Sequence, residues 1–103
     1  MSKVIEERER VVVPNFPPTE IVASRIDAIV AFDRTADLPK IRLPTLVICA
    51  KDDILTPPYF SRELARLIPN ASLIELARGG HCASEINTAE FNDAVLGFIA
   101  RHG

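Results

Sequence analysis

Three side chains in this sequence have types and positions that suit proton transfer: Asp52, Asp53 and His81. An imidazole that titrates near about 6.5 can both accept and return a proton at neutral pH. A carboxylate beside the imidazole holds the ring in one tautomer and stabilises the imidazolium that forms. An acid and a histidine would therefore supply two of the three groups of a nucleophile–histidine–acid relay.

The acids and the histidine each follow a segment that is predicted to be a strand. The run Thr45–Ala50 is apolar, rich in β-branched residues and too short for a helix, which is typical of a strand buried on both faces of a parallel sheet. A second short apolar run, 72–77, ends in Arg-Gly-Gly-His-Cys. Because parallel strands end at the same edge of a sheet, where open sheets place their functional groups, we expect the acids and the histidine to meet there.

Apolar stripes at helical spacing predict the elements around these strands. The stripe between the strands completes a βαβ unit with a right-handed crossover. Another predicts a helix that begins at Pro18 or Thr19 and ends at 35–37, and a third predicts a C-terminal helix that opens at Asn87 and Glu90 in a capping box. The predicted fold class is α/β. The stripe residues are Val22, Ile26, Ile29 and Val30, then Phe60, Leu64, Leu67 and Ile68, then Phe91, Val95, Phe98 and Ile99.

Composition excludes several classes of partner. The net charge is −2 with 25% charged residues, so neither nucleic acid nor a membrane surface is expected as a partner. No apolar run reaches the roughly 20 residues of a membrane span. The charged segment 1–16 has no assigned place in the predicted fold, and it lacks the apolar stretch of a signal peptide. The cytoplasm is therefore the expected compartment. Two cysteines and two histidines match no zinc pattern, and no metal or cofactor is expected.

Other roles for these residues stay open. Both aspartates could be solvated loop residues near a helix N-terminus, where negative charge is favourable. His81 could bond only to backbone, and His102 lies next to the chain end. Cys49 falls inside the first strand as a small core residue, whereas a thiol enzyme that uses Cys82 with His81 is a further alternative.

The acid and histidine segments together resemble the C-terminal segment of an α/β-hydrolase. The family carries its acid in a Gly-x-x-Asp-x-x-x-Pro pattern, and its histidine follows the last strand. Ala50 stands where the family usually has glycine, Asp53 matches the acid and Pro57 the closing proline. The residue patterns of both segments are most similar to those of the pyrimidine-utilisation hydrolase D group, near the enol-lactone hydrolases.

The resemblance covers residues 17–103 and implies the C-terminal part of an α/β-hydrolase domain, a partial fold with a parallel βαβ unit and flanking helices. It favours Asp53 over Asp52 as the acid and implies that His81 is the base. The implied reaction of the full-length enzyme is hydrolysis of a small ester, lactone or amide-like metabolite, with an aminoacrylate- or carbamate-like substrate in the subgroup.

The nucleophile of that family is missing from this sequence. A Gly-x-Ser-x-Gly elbow would hold it, but the four glycines are Gly79, Gly80, Gly97 and Gly103, and both candidate serines, Ser61 and Ser84, lie in other contexts. We therefore expect a piece of a hydrolase, either a fragment or a shortened gene product, that is inactive alone. The alternative is a non-catalytic relative that serves as an assembly or binding module. Because two strands leave an open sheet edge, we also expect a homo-oligomer.

Overall fold

A computed structural model describes residues 2–103. The chain divides into two compact units, one that ends at Asp33 and one that covers Arg34–Gly103. The first unit contains two helices, α1 (Ser2–Val12) and α2 (Thr19–Ala31). Pro18 is the N-cap of α2, as the sequence predicted, but the helix ends earlier than predicted, because Phe32 already has extended backbone angles.

The second unit contains the predicted βαβ arrangement. A 3₁₀ helix at Thr35–Lys40 leads to β1 (Thr45–Ala50), α3 (Pro58–Leu67) and β2 (Ala71–Leu76). The two strands are parallel, and Ala50 lies opposite Leu76 in the register. They therefore end side by side, which confirms the α/β fold class and the predicted meeting of the two loops.

A second 3₁₀ helix and two α-helices complete this unit. The 3₁₀ helix covers Gly80–Cys82, followed by α4 (Ala83–Ile86) and the C-terminal helix α5 (Thr88–His102). Among the described residues, no helix is long and apolar enough to cross a membrane.

The strands are less buried than the sequence suggested. In β1 only Val47 and Ala50 are buried, and in β2 only Leu76 is. One cluster of core residues consists of Ala50, Leu76 and Ala83, with Ile48, Ile74 and Phe91 packed against it. An apolar β-branched run predicts a strand, but burial on both faces also requires covering layers, and within the described chain those layers are incomplete.

Candidate active site

Asp53 lies in the loop after β1, and the loop itself holds its carboxylate. The side chain is only 8% exposed, and Oδ1 accepts hydrogen bonds from the backbone N–H groups of Leu55 (2.9 Å) and Thr56 (3.0 Å). An aspartate that accepts bonds from the backbone two and three residues further on forms a local turn. The turn orients the second oxygen, Oδ2, away from its own loop backbone.

His81 meets that second oxygen. Its ring nitrogen Nδ1 lies 3.1 Å from Asp53 Oδ2. The Thr56 hydroxyl lies 3.0 Å from the same oxygen and 3.2 Å from Nδ1, which closes a triangle of three side chains. A carboxylate only accepts hydrogen bonds, so Nδ1 must carry the proton to bond with it. The sequence analysis predicted the pair but not the contact of Thr56 with both members; Thr56 lies one residue before Pro57, the N-cap of α3.

The surroundings of Asp53 favour its charged form. Burial disfavours the carboxylate, but the Thr56 N–H, the His81 ring, the Thr56 hydroxyl and the Leu55 N–H all donate to it. These bonds outweigh burial, so the pKa of Asp53 lies below the ordinary value of an aspartate. Asp53 is therefore an anion at neutral pH and can stabilise an imidazolium.

Asp52, the competing candidate for the acid, points elsewhere. Its Oδ1 accepts the Gly80 N–H at 2.8 Å and its Oδ2 accepts the Gly79 N–H at 3.3 Å. The bond from Gly80 is the main reason that the pKa of Asp52 is lowered. The structure thus brings Asp53 to the imidazole and Asp52 to the backbone of the histidine loop, which we define as residues 78–82.

The histidine loop requires glycine at its second position. Gly79 has φ +128°, and a Cβ there would lie 2.8 Å from the Ala83 Cβ and 2.9 Å from its Cα. Gly80 has φ +61°, but a Cβ there would meet no atom within 4 Å. Both residues use backbone angles that side chains disfavour, and Gly79 is also enclosed by α4.

Asn87 closes the far side of this loop. It is 4% exposed, and its Nδ2 donates to the Arg78 carbonyl (3.2 Å) and to Glu90 Oε2 (3.0 Å). The predicted capping box is therefore different in detail: the two side chains meet, but the Asn87 side chain makes no capping bond to the helix backbone. Its amide group ties α5 to the histidine loop instead.

A cavity of about 200 Å³ adjoins the Asp53–His81 pair. Its lining includes both serines that the sequence analysis considered, Ser61 and Ser84, together with Cys49. Cys82 is an exposed free thiol. Among residues 2–103, no group of three or more His, Cys, Asp or Glu side chains could hold a metal ion.

Comparison with known proteins places the chain in a family. The family model described as alpha/beta hydrolase fold matches residues 9–88. Among curated proteins, the chain is 43% identical over 95 residues to "Putative carbamate hydrolase RutD" of Azorhizobium caulinodans, which covers 92% of this chain and 36% of that protein. It is 44% identical over 86 residues to the protein of the same name from Stutzerimonas stutzeri, covering 84% of this chain and 32% of that one.

Solved structures show the same fold. An alpha/beta hydrolase from the metagenome of sediments from the lagoon of Mar Chica, Morocco, superposes with a TM-score of 0.75 at 29% identity, over 95% of this chain and 44% of that one. An alpha/beta hydrolase from a Medee basin deep-sea metagenome library gives 0.68 at 30% identity, over 96% and 37%. The chain spans about a third of the length of the curated relatives described above. It belongs to the alpha/beta hydrolase family, and within that family it is similar to the RutD proteins.

Proposed function

We propose that Asp53 and His81 are the acid and the base of a serine-type hydrolase whose nucleophile lies on a segment outside this sequence. The observation that carries this proposal is the 3.1 Å contact between His81 Nδ1 and Asp53 Oδ2 at the carboxyl ends of two parallel strands. The side chain of His81 remains 51% exposed, so an incoming group has access to the ring.

In this proposal each ring nitrogen has its own role. The Nδ1–H group donates a hydrogen bond to Asp53, which leaves Nε2 as the free base. A serine hydroxyl would give its proton to Nε2 as its oxygen bonds to the substrate carbonyl carbon, and the imidazolium would return that proton to the leaving group. Water would then repeat the sequence on the acyl-enzyme and release the acid product. The ionised Asp53 stabilises the imidazolium in both halves.

Small carbamates are the proposed substrate class. The supporting observation is the name of the RutD relatives, at 43% and 44% identity, over 92% and 84% of this chain. The cavity beside the pair, about 200 Å³, is compatible with a small metabolite.

A chimaera would test the catalytic role directly. We expect activity on a carbamate and on a nitrophenyl ester when this chain replaces the matched segment of the Azorhizobium relative. His81→Ala in that chimaera should lower kcat by about 10²–10⁴-fold, because general acid–base catalysis contributes that much. Asp53→Asn should cost up to about 10⁴-fold, as an acid that holds the tautomer does in such relays.

The matched control is His102→Ala, since His102 is the other histidine and lies in the last turn of α5. A chimaera that is folded and active, and that loses nothing in His81→Ala, would overturn the proposal. The chain alone has no Gly-x-Ser-x-Gly segment, so we expect it to show no His81-dependent ester hydrolysis. His81-dependent turnover by the chain alone would contradict the assignment of the nucleophile to another segment.

We also propose that the chain by itself forms a homo-oligomer through an open sheet edge. In the described chain the sheet has two strands, and both are mostly half-buried. An unpaired edge of this kind is a template for pairing with another strand. The proposal concerns assembly and does not depend on catalysis.

A further inference from the structure

We propose that Asp52 is a positioning residue that holds the histidine loop through two backbone N–H groups, so that the His81 ring keeps its bond to Asp53. The inference rests on the proposed function only in so far as that function makes the orientation of His81 matter. The two hydrogen bonds go to loop backbone and not to the ring, and Asp52 itself does not line the cavity, although its partner Gly80 does.

The two neighbouring aspartates bind consecutive parts of one loop. Asp52 accepts hydrogen bonds from the N–H groups of Gly79 and Gly80, which lie 27 and 28 residues further along the chain. Asp53 accepts a hydrogen bond from the ring of His81, the residue after Gly80. The 2.8 Å bond at Gly80 restrains the peptide group between Gly79 and Gly80, one residue before His81. The direction of the His81 side chain depends on that backbone.

A carboxylate suits this position better than other side chains. It offers an oxygen to each of two successive N–H groups, whereas an amide has one acceptor oxygen and would turn an N–H₂ donor toward the other. Successive backbone N–H groups that converge on one point form anion-binding concavities. The φ angles of +128° and +61° at Gly79 and Gly80 aim both groups toward Asp52.

The two hydrogen bonds from Gly79 and Gly80 to Asp52, which we call the clamp, also matter because glycine is the most flexible residue. On its other side the loop is bounded by Ala83 and Asn87, close to Gly79. On the side where a Cβ would lie, Gly80 faces open space, so the bond to Asp52 is a restraint that packing on that side does not supply. Without that bond we expect the His81 ring to sample more orientations.

Ring ¹⁵N NMR of the whole chain provides a readout that a purely structural role would not change. In the neutral ring of the wild type, the tautomer protonated at Nδ1 should predominate, because Nδ1 faces the Asp53 carboxylate. In Asp52→Ala we expect the ratio of Nδ1-protonated to Nε2-protonated ring to fall by roughly two- to tenfold, the factor that corresponds to the loss of an ordinary hydrogen bond. Lys51→Ala, on the exposed neighbour in the same loop, should leave the ratio unchanged.

A folded Asp52→Ala protein with the wild-type ratio would overturn the proposal. If Asp52→Ala does not fold, Asp52→Asn decides, since it keeps one acceptor: a smaller fall supports the clamp, and an unchanged ratio overturns it. The measurement needs no turnover. A folded but inactive chimaera, together with a clear tautomer shift in Asp52→Ala, would therefore refute the proposed function and support the clamp. An active chimaera that depends on His81, together with an unchanged tautomer ratio in Asp52→Ala, would support the proposed function and refute the clamp.

Discussion

Thr56 is the side chain that connects the two members of the candidate relay. Its hydroxyl lies within 3.2 Å of both Asp53 Oδ2 and His81 Nδ1, and its N–H donates to Asp53 Oδ1. The backbone bond is available to every residue except proline, whereas the hydroxyl bonds depend on the side chain. The contribution of the hydroxyl can therefore be isolated by a substitution that preserves shape.

Thr56→Val should raise the pKa of Asp53 toward its ordinary value, because the Thr56 hydroxyl is one of the donors that lower it. A carboxyl group whose folded pKa is depressed contributes stability above its unfolded pKa and loses that contribution as pH falls through the folded pKa. The variant should thus be less stable than the wild type at pH 7, and the gap should narrow below about pH 4.

Carboxyl ¹³C titration measures the pKa of Asp53, and urea unfolding at pH 7 and below about pH 4 measures the difference in stability. Thr56→Ser keeps the hydroxyl and is the matched control. An Asp53 titration that is the same in Thr56→Val as in the wild type would show that the hydroxyl does not stabilise the carboxylate.

At the scale of single residues, the sequence predicted the pairing of Asp53 with His81 but not the contacts that Asp52 and Thr56 make. The two strand ends predicted that an acid would meet His81, and the resemblance to the family pattern, with its spacing to Pro57, selected Asp53; the structure places the Asp53 side chain against His81. The bonds of Asp52 join it to backbone groups 27 and 28 residues away. Backbone amides carry no sequence signature, so no residue pattern could have predicted that contact.

At the scale of elements, the junction between β2 and α4 depends on one glycine. A Cβ at Gly79 would lie 2.9 Å from the Ala83 Cα, a backbone atom that cannot move without shifting α4. At Gly80 only the backbone angle is unfavourable. A substitution at Gly79 therefore tests steric conflict together with backbone strain, whereas the same substitution at Gly80 tests backbone strain alone.

We expect Gly79→Ala to lower the free energy of unfolding by more than the roughly 1–3 kcal/mol that a strained backbone conformation costs. Gly80→Ala, the matched control, should cost only about 1–2 kcal/mol, the penalty of left-handed angles for a residue with a Cβ. Denaturant unfolding of the three proteins measures both values. Equal losses in the two variants would show that the contact with Ala83 relaxes without cost.

Local signals predicted which elements form better than they predicted where those elements end and how deeply they are buried. Pro18 sets the start of α2, because a proline's fixed φ suits a helix start, but no comparable residue marks its end. The strand β1 formed where β-branched residues are concentrated, and yet Ile48 and Cys49 are only half-buried. Burial depends on what packs against a strand, and periodicity along the strand itself carries no information about missing layers.

For the whole molecule, the decisive quantity is the share of the family that the chain contains. It spans 36% of the Azorhizobium relative and 32% of the Stutzerimonas one. The Asp53–His81 contact forms entirely within the second compact unit. The geometry of the pair therefore does not require the rest of the relatives' length, whereas the turnover proposed above would also need a nucleophile.

The free edge of β1 is where we expect the chain to self-associate. The N–H groups of Thr45 and Lys51 donate to the carbonyls of Asn70 and Leu76. Peptide groups alternate in direction along a strand, so the N–H of Leu46 points away from β2, toward the open edge. An apolar strand with free N–H groups on one side is a template for another copy.

Leu46→Pro should therefore convert the oligomer to a monomer, because proline removes one outward N–H and leaves the bonds to β2 in place. Leu46→Ala, which keeps the N–H, should remain associated and is the matched control. Analytical ultracentrifugation at micromolar concentration distinguishes the states, and circular dichroism verifies that each variant is folded. A wild-type chain that sediments as a compact monomer would refute association, and an oligomer equally stable in folded Leu46→Pro would place the interface away from this edge.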